Sequence, residues 1–482
     1  MKQSWRAIAV ADFRACSATI RVSLRRSRTR RRLHELGARG LADIGLTESQ
    51  RRCECAKWFW QIGGGGRVIT ETRPQAFYGW RVVGAAFVLA VFGWGPPIFL
   101  SVIGETRGWP LAVVSTAVTV HFLIGAVVGA NLPACYRRFG APLATKVAGL
   151  CLAAGIVGWA TCTVPWQLFV ASVLSGVGWG AMSAAAVNGI VSPWFFRSRP
   201  AALGMAYNGG SIGGVIFSPL WVAAIAALGF AKAAAFVGLV MVATMWVLAD
   251  RQFSRTPKEM GLAPDGDLRS SPAPFLKLPN ATPLPGLLLW RDRKFLTLAA
   301  GMALGLFAQI GLTAHLFSFL APALGAQCAG FAMALVTAMA IAGRTFLGCV
   351  MPLHADRRPI ACLGYAAQFC GSVAFICAAR TNVPLLLLGV VLFGVGFGNA
   401  TSLPPLVAQR KFIERDVPRV VALMIGIAQG AYAFAPAAFG VVRQFGASPV
   451  AVSAAGAATG IFVAAALAQG LAICAFLLGR SR

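Results

Sequence analysis

The amino-acid sequence predicts an all-α membrane protein: twelve transmembrane helices in two parallel six-helix pseudo-repeats, preceded by a short basic helical N-terminal domain. Three observations carry that prediction. Of 482 residues 57% are hydrophobic and only 12% charged, about half the usual share, since a soluble globular chain carries roughly 25%. Apolar runs of at least 18 residues recur from Tyr78 onward, each long enough to cross a hydrocarbon core of about 30 Å as a helix. The remaining charge is lopsided, 43 Lys and Arg against 15 Asp and Glu for a net +28, and it lies almost wholly between the runs. A large soluble enzyme, a disordered chain and a disulfide scaffold are excluded.

The spans fall near residues 78–103, 110–134, 142–163, 166–190, 200–226, 230–250, 294–322, 328–352, 358–379, 383–408, 418–442 and 450–478. Their apolar character is continuous, without the alternation that a membrane β-strand requires. Five segments follow: a basic domain over 1–62, a flexible linker over 63–77 opened by Gly63-Gly64-Gly65-Gly66, bundles over 78–250 and 294–479, and a loop over 251–293 containing seven Pro. No secretory signal precedes them, Ile8-Ala9-Val10 being too short for an apolar signal core.

Charge placement gives the orientation. Of the 43 basic residues, 38 lie in the terminal segments or the loops on their side, four lie in opposite loops (Arg107, Lys232, Arg380, Arg443), and Arg344 lies inside a span. The positive-inside rule then puts both termini in the cytoplasm. The cysteines scattered through the spans read as apolar filler. Cys53-Glu54-Cys55, with no second pair nearby, does not make a metal site, and no cofactor is implied.

The halves repeat. Val173-Leu174-Ser175-Gly176-Val177-Gly178-Trp179-Gly180 matches Val391-Leu392-Phe393-Gly394-Val395-Gly396-Phe397-Gly398 at a shift of 218 with six identities, and Pro200 and Pro418 share that shift. An even number of spans per half inserts both halves in the same sense, a parallel repeat.

With these features the sequence resembles the major facilitator superfamily over about residues 78–479. Phe77-Tyr78-Gly79-Trp80-Arg81 is similar to the opening of its oxalate/formate antiporter and monocarboxylate transporter branch. So is Trp194-Phe195-Phe196-Arg197-Ser198-Arg199, running through Ala202-Leu203-Gly204-Met205-Ala206 to Gly209-Gly210-Ser211-Ile212-Gly213-Gly214. The family's loop signature, a Gly, then Asp-Arg, then Gly, is half kept. Gly348 and Ala355-Asp356-Arg357-Arg358 carry it in the second half, whereas Tyr136-Arg137-Arg138-Phe139-Gly140 has Arg137 where the family has Asp. The resemblance implies a cytoplasmic gate built on Arg137, Arg138, Asp356 and Arg357.

Residues 28–60 resemble the YjiS-like family of short basic bacterial proteins, through Thr29-Arg30-Arg31-Arg32-Leu33-His34-Glu35-Leu36, Leu41-Ala42-Asp43-Ile44-Gly45-Leu46-Thr47 and Trp58-Phe59-Trp60. This implies a bacterial inner membrane protein whose residues 1–62 contact RNA or anionic lipid.

In hydrocarbon the polar residues carry the chemistry. None of the 15 acids lies within the middle of a span, so a buried proton-carrying carboxylate is missing. Arg344, eight residues before Pro352, sits about 12 Å into the bilayer at ~1.5 Å per residue. An Arg there costs about 2.5–3.5 kcal/mol or more, and a substrate anion is the natural partner for its fork of donors. Monocarboxylate and oxalate transporters carry a substrate-binding Arg at the corresponding place in their eighth span. The resemblance adds Trp94, Asn188, Asn208, Gln309, His315, Asn399, Gln429 and Tyr432 as cavity candidates. His121, His315 and Glu105 are the groups available for proton coupling.

The expected function is alternating-access secondary transport of a small organic anion, foremost a monocarboxylate, by proton symport or anion exchange. A monomer serves that role. No G-x-x-x-x-G-K-[ST] loop for an ATP-driven pump occurs. Two alternatives stay open: efflux of an apolar or cationic compound, and a membrane-tethered regulator whose N-terminal domain binds RNA.

Overall fold

A computed structural model describes residues 77–94, 109, 111–266, 286–351, 357–378, 381–413, 415–445 and 454–479. The N-terminal domain, its linker, Pro96-Pro97, Glu105 and Asp356 lie outside the described residues. Thirteen α-helices order the described chain: α1 Tyr78–Trp94, α2 Leu111–Thr161, α3 Pro165–Ala181, α4 Ala184–Val191, α5 Arg199–Leu228, α6 Phe230–Leu248, α7 Arg293–Leu324, α8 Ala326–Val350, α9 Arg357–Ala378, α10 Val383–Lys411, α11 Val417–Tyr432, α12 Ala435–Phe445 and α13 Ala454–Leu478. Nine of the described helical segments are long and apolar enough to cross a membrane. Phe77–Thr345 and Asp356–Arg482 form one compact unit.

The helix boundaries depart from the expected spans at three places, each with a local cause. Residues 110–134 and 142–163 are predicted as two spans joined by a loop, but α2 runs through both and turns only at Gly140 (φ 79°, ψ 157°). That left-handed conformation is open to glycine without strain, so one residue replaces the loop. Gly325 (φ 80°) makes the same kind of corner between α7 and α8. The single span predicted over 166–190 is interrupted at Met182 and Ser183, where the Ser183 hydroxyl caps the N–H of Ala185. The span predicted over 418–442 breaks at Ala433 and Phe434, and Pro436 opens α12 where a missing N–H costs nothing.

The repeated glycine motifs put backbones in contact. A Cβ on Gly176 or Gly180 would meet the backbone of α2's first limb at His121 or Gly125, and one on Gly178 would meet the second limb at Ala148 and Leu152. In the other half, Gly394 and Gly398 lie against Val336 and Ala340 of α8, while Gly396 lies against Gly364 and Gln368 of α9. First and third glycines approach one neighbour and the middle glycine another, in both copies.

The second-half interior is aromatic. Phe319, Phe375, Phe393, Phe439 and Phe462 are buried together, with Phe319 edge-on to Phe462 at 4.4 Å between centroids, a preferred arrangement for two ring quadrupoles.

At one end of the first-half bundle, two segments that carried the family resemblance meet. Phe77 packs on Trp194 and Phe195, and Trp80 on Phe195. The sequence predicts an irregular loop across 251–293, but its first part is anchored. Asp265 accepts hydrogen bonds from the N–H groups of Phe196, Arg197 and Ser198 at 3.0, 2.7 and 3.1 Å. These are free donors just ahead of α5, and a carboxylate there satisfies three of them at once. Tyr78 Oη adds a bond to the carbonyl of Arg251 at 2.7 Å.

Arg357 and Arg358 read as loop residues from sequence, yet both are buried at the start of α9. Arg358 donates to the carbonyls of Phe476 and Lys294 and to the Thr297 hydroxyl, tying α13 to α7. Arg357 donates to the Leu406 carbonyl at 2.8 Å. Their charges hold helix ends together.

Candidate functional site

A cavity of about 760 Å³ lies among the described helices. Its walls come from α2, α3, α4, α5, α7, α8, α10 and α11, so helices on both sides of the central loop contribute. Most lining residues are apolar or aromatic, among them Phe122, Trp179, Leu306, Met333 and Phe397. The polar ones include Tyr207, Ser211, Gln309, Gln429 and Tyr432, and Arg344 is the one charged residue on the wall among the described residues.

Arg344 projects from α8, which brings it to the cavity fourteen residues beyond Gly330 on the same wall. Only 5% of the residue is exposed. Nε donates to the carbonyl of Gly398 on α10 at 2.7 Å. Nη1 donates to Asn208 Oδ1 on α5 at 2.8 Å and more weakly to Ser211 Oγ at 3.4 Å. Nη2 makes no hydrogen bond to a described residue. The guanidinium is therefore held by neutral oxygens, and no carboxylate among the described residues pairs with it. Gly398 has no Cβ because α10 meets α8 there, and that close approach is what puts its carbonyl within reach of Nε.

Asn208 completes the arrangement. Its Nδ2 donates to Thr345 Oγ1 at 2.8 Å, so one amide accepts from one α8 residue and donates to the next. A carboxylate binds a guanidinium best through two parallel N–H bonds. Every such pair on Arg344 includes Nε or Nη1, and both are engaged. An arriving carboxylate takes Nη2 directly and must displace the Gly398 carbonyl from Nε, or Ser211 or Asn208 from Nη1, for its second bond.

Four predicted site residues, Arg344, Gln309, Gln429 and Tyr432, line this cavity together. Asn208 does not line it but orients Arg344. The remaining candidates belong elsewhere. Asn188 accepts from the Ser192 hydroxyl at 3.0 Å and stands behind the wall, bonded to the cavity-lining Tyr207. Asn399 turns its Nδ2 back to its own helix at Val395. His315 Nε2 bonds the carbonyl of Pro436 at 3.1 Å, joining α7 to α12. His121 is buried behind the wall with Nδ1 2.8 Å from Ser175 Oγ, which also accepts from Trp159 Nε1 at 3.1 Å. Among the residues of the expected gate, Arg137 and Arg138 are exposed, Arg138 over the ring of Phe139. Glu105, Asp356 and the Trp94 side chain lie outside the described residues.

Sequence reasoning passed over Ser211, Tyr207, Thr313, Thr337 and the aromatics Phe122, Trp179 and Phe397. Ser211 had a signal, standing in a glycine run where α5 approaches its neighbours. Trp179 and Phe397 had one too, standing at matching positions of the repeat, whereas Phe122 had none, since rings in apolar helices are commonplace. Among the described residues, no three His, Cys, Asp or Glu side chains come together to hold a metal ion.

A membrane-spanning helical bundle with a central cavity, lined from both halves of the chain, is the architecture of a secondary transporter. Residues 82–436 match the model of the Major Facilitator Superfamily, and the chain belongs to that superfamily, whose members are transporters and not enzymes. Comparison with curated proteins finds no match.

Proposed function

We propose that the protein carries an organic monoanion, a monocarboxylate, across a bacterial inner membrane by alternating access, as a proton symporter or anion exchanger. The observation that supports this reading is Arg344, a buried guanidinium on the cavity wall with an unused Nη2 and no carboxylate partner among the described residues. Such a charge is costly to bury without a partner, and a substrate carboxylate supplies one. Efflux of a cation fits poorly, because a cation would meet the guanidinium on a wall with no compensating acid.

The twelve-span reading has support beyond the nine apolar helices. The corner at Gly140 makes two crossings of α2, α5 is 30 residues long, and α1 is a further apolar helix. The matching contacts of the two glycine motifs favour two six-helix halves. In that frame Asn208 belongs to the first half and Arg344 to the second, and their hydrogen bond joins the halves. A carboxylate that takes Nη1 from Asn208 removes this contact, which couples occupancy to rocking of the halves. The basic loops favour cytoplasmic termini. A role for residues 1–62 on RNA or anionic lipid is a separate proposal, and deletion of that segment should leave flux intact.

The test is uptake of radiolabelled carboxylates into proteoliposomes, with and without a pH gradient or internal anion. Arg344→Ala and Arg344→Lys, purified at wild-type yield, should lose at least tenfold in uptake, because Lys cannot reproduce the fork. Uptake by Arg344→Ala at the wild-type rate would overturn the proposal.

A further inference from the structure

The cavity has more to say about its occupant than the single charge does. On α8 its lining residues run from Gly330 through Met333, Val336 and Ala340 to Arg344, fourteen residues or about 21 Å at ~1.5 Å per residue. On α7 they run from Met302 to Thr313, about 16 Å on the same arithmetic. The charged group thus stands at one end of the α8 wall, and the greater part of that wall is apolar.

The threonines on these walls add little polarity. Thr313 Oγ1 donates to the carbonyl of Gln309 at 2.7 Å and Thr337 Oγ1 to that of Met333 at 3.3 Å, each spending its hydroxyl proton on its own helix. A two- or three-carbon acid on Arg344 would leave the apolar side chains along the rest of the wall uncovered. A dianion would find one guanidinium and no second cation on the described wall.

From the length of the wall, its apolar character and the single charge at its end, we infer that the substrate is an amphipathic monocarboxylate, a carboxylate head with an aliphatic or aromatic body of about six to ten carbons. This rests on the reading of Arg344 as the anion anchor. The head sits on Arg344 beside Ser211 and Tyr207, and the body lies along Met333 and Val336 facing Phe122, Trp179 and Phe397. Recognition of the body is by removal of apolar surface from water, so affinity climbs with chain length until the cavity is filled.

The experiment measures binding of acetate, butanoate, hexanoate and octanoate to the full-length protein in nanodiscs by equilibrium dialysis, with empty nanodiscs correcting for lipid partition. Oxalate and the neutral amide hexanamide complete the panel. Each added methylene should tighten binding about fourfold, equivalent to ~0.8 kcal/mol. Arg344→Gln should remove the advantage of hexanoate over hexanamide. Ala334→Phe, which fills the wall away from Arg344, should weaken octanoate at least tenfold while leaving butanoate unchanged. A series that is flat or falls with length, or oxalate binding tighter than octanoate, with both still dependent on Arg344, overturns the amphipathic substrate and leaves the anchor standing. Binding unaffected by Arg344→Gln, or hexanamide equal to hexanoate in the wild type, overturns the anchor itself.

Discussion

Replacing Asn208 with Ala should make the protein less stable and its carboxylate site tighter. The Asn208 amide accepts from Arg344 Nη1 and donates to Thr345 Oγ1, each at 2.8 Å, and it is 7% exposed. A hydrogen bond to a charged donor contributes about 1.5–3 kcal/mol and a neutral one about 0.5–1.5 kcal/mol. Losing both predicts a stability loss of about 2–4 kcal/mol, less whatever cavity water restores. A carboxylate that takes Nη1 from Asn208 costs the wild type that charged bond, whereas the variant has nothing to give up. Its affinity should therefore rise by roughly tenfold, the equivalent of ~1.4 kcal/mol. Thermal unfolding of the purified protein, repeated across a titration with octanoate, reads both quantities in one experiment. A variant that is less stable and also binds octanoate no better, or worse, refutes displacement; Asn208 would then only position Arg344. A variant as stable as the wild type refutes the assigned energy of the contact.

Two further outcomes follow from the packing. Gly398→Ala would drive a methyl into the Ala340 carbonyl and part α10 from α8, at about 1–3 kcal/mol for an overpacked core. It should lower the unfolding temperature and, by moving the carbonyl that holds Nε, weaken carboxylate binding as well. Asp265→Ala should leave the Phe196, Arg197 and Ser198 N–H groups without their acceptor. Faster hydrogen exchange confined to residues 194–200 is expected, with exchange in α10 unchanged, and uniform exchange across the chain would count against the assignment.

Membrane residence was legible because a helix in lipid must be apolar over its whole crossing, a long signal that local exceptions do not erase. Arg344 was legible for the converse reason, since a charge in an apolar run stands out. Less visible was how that charge is satisfied. Sequence reasoning found no acid to meet Arg344 and assigned it a substrate anion; the Gly398 carbonyl and the Asn208 amide that hold it are not distinguishable in sequence from other glycines and amides. Asn399 has the same side chain as Asn208 and turns to its own helix instead, while Asn188 bonds Ser192 and Tyr207. The breaks at Met182–Ser183 and Ala433–Phe434 were hidden because an interrupted helix keeps its apolar pattern. Arg357 and Arg358 were misread for a related reason, as a basic pair at a span end looks alike whether it faces solvent or caps a neighbouring helix.

The bond between Asp265 and the residues ahead of α5 decides where this chain can be divided. Reading spans alone would end the first half near residue 250, just past α6. Such a fragment would lack the carboxylate that closes the N-terminus of α5, and the aromatic packing of Phe77 and Trp80 on Phe195 would rest on an unanchored turn. A separately expressed first half, or a fusion partner inserted between the halves, should keep the chain intact through Gly266. Ribosomal synthesis meets the same boundary, since the start of α5 stays unfinished until some 66 further residues, counted from Arg199 to Asp265, have been added.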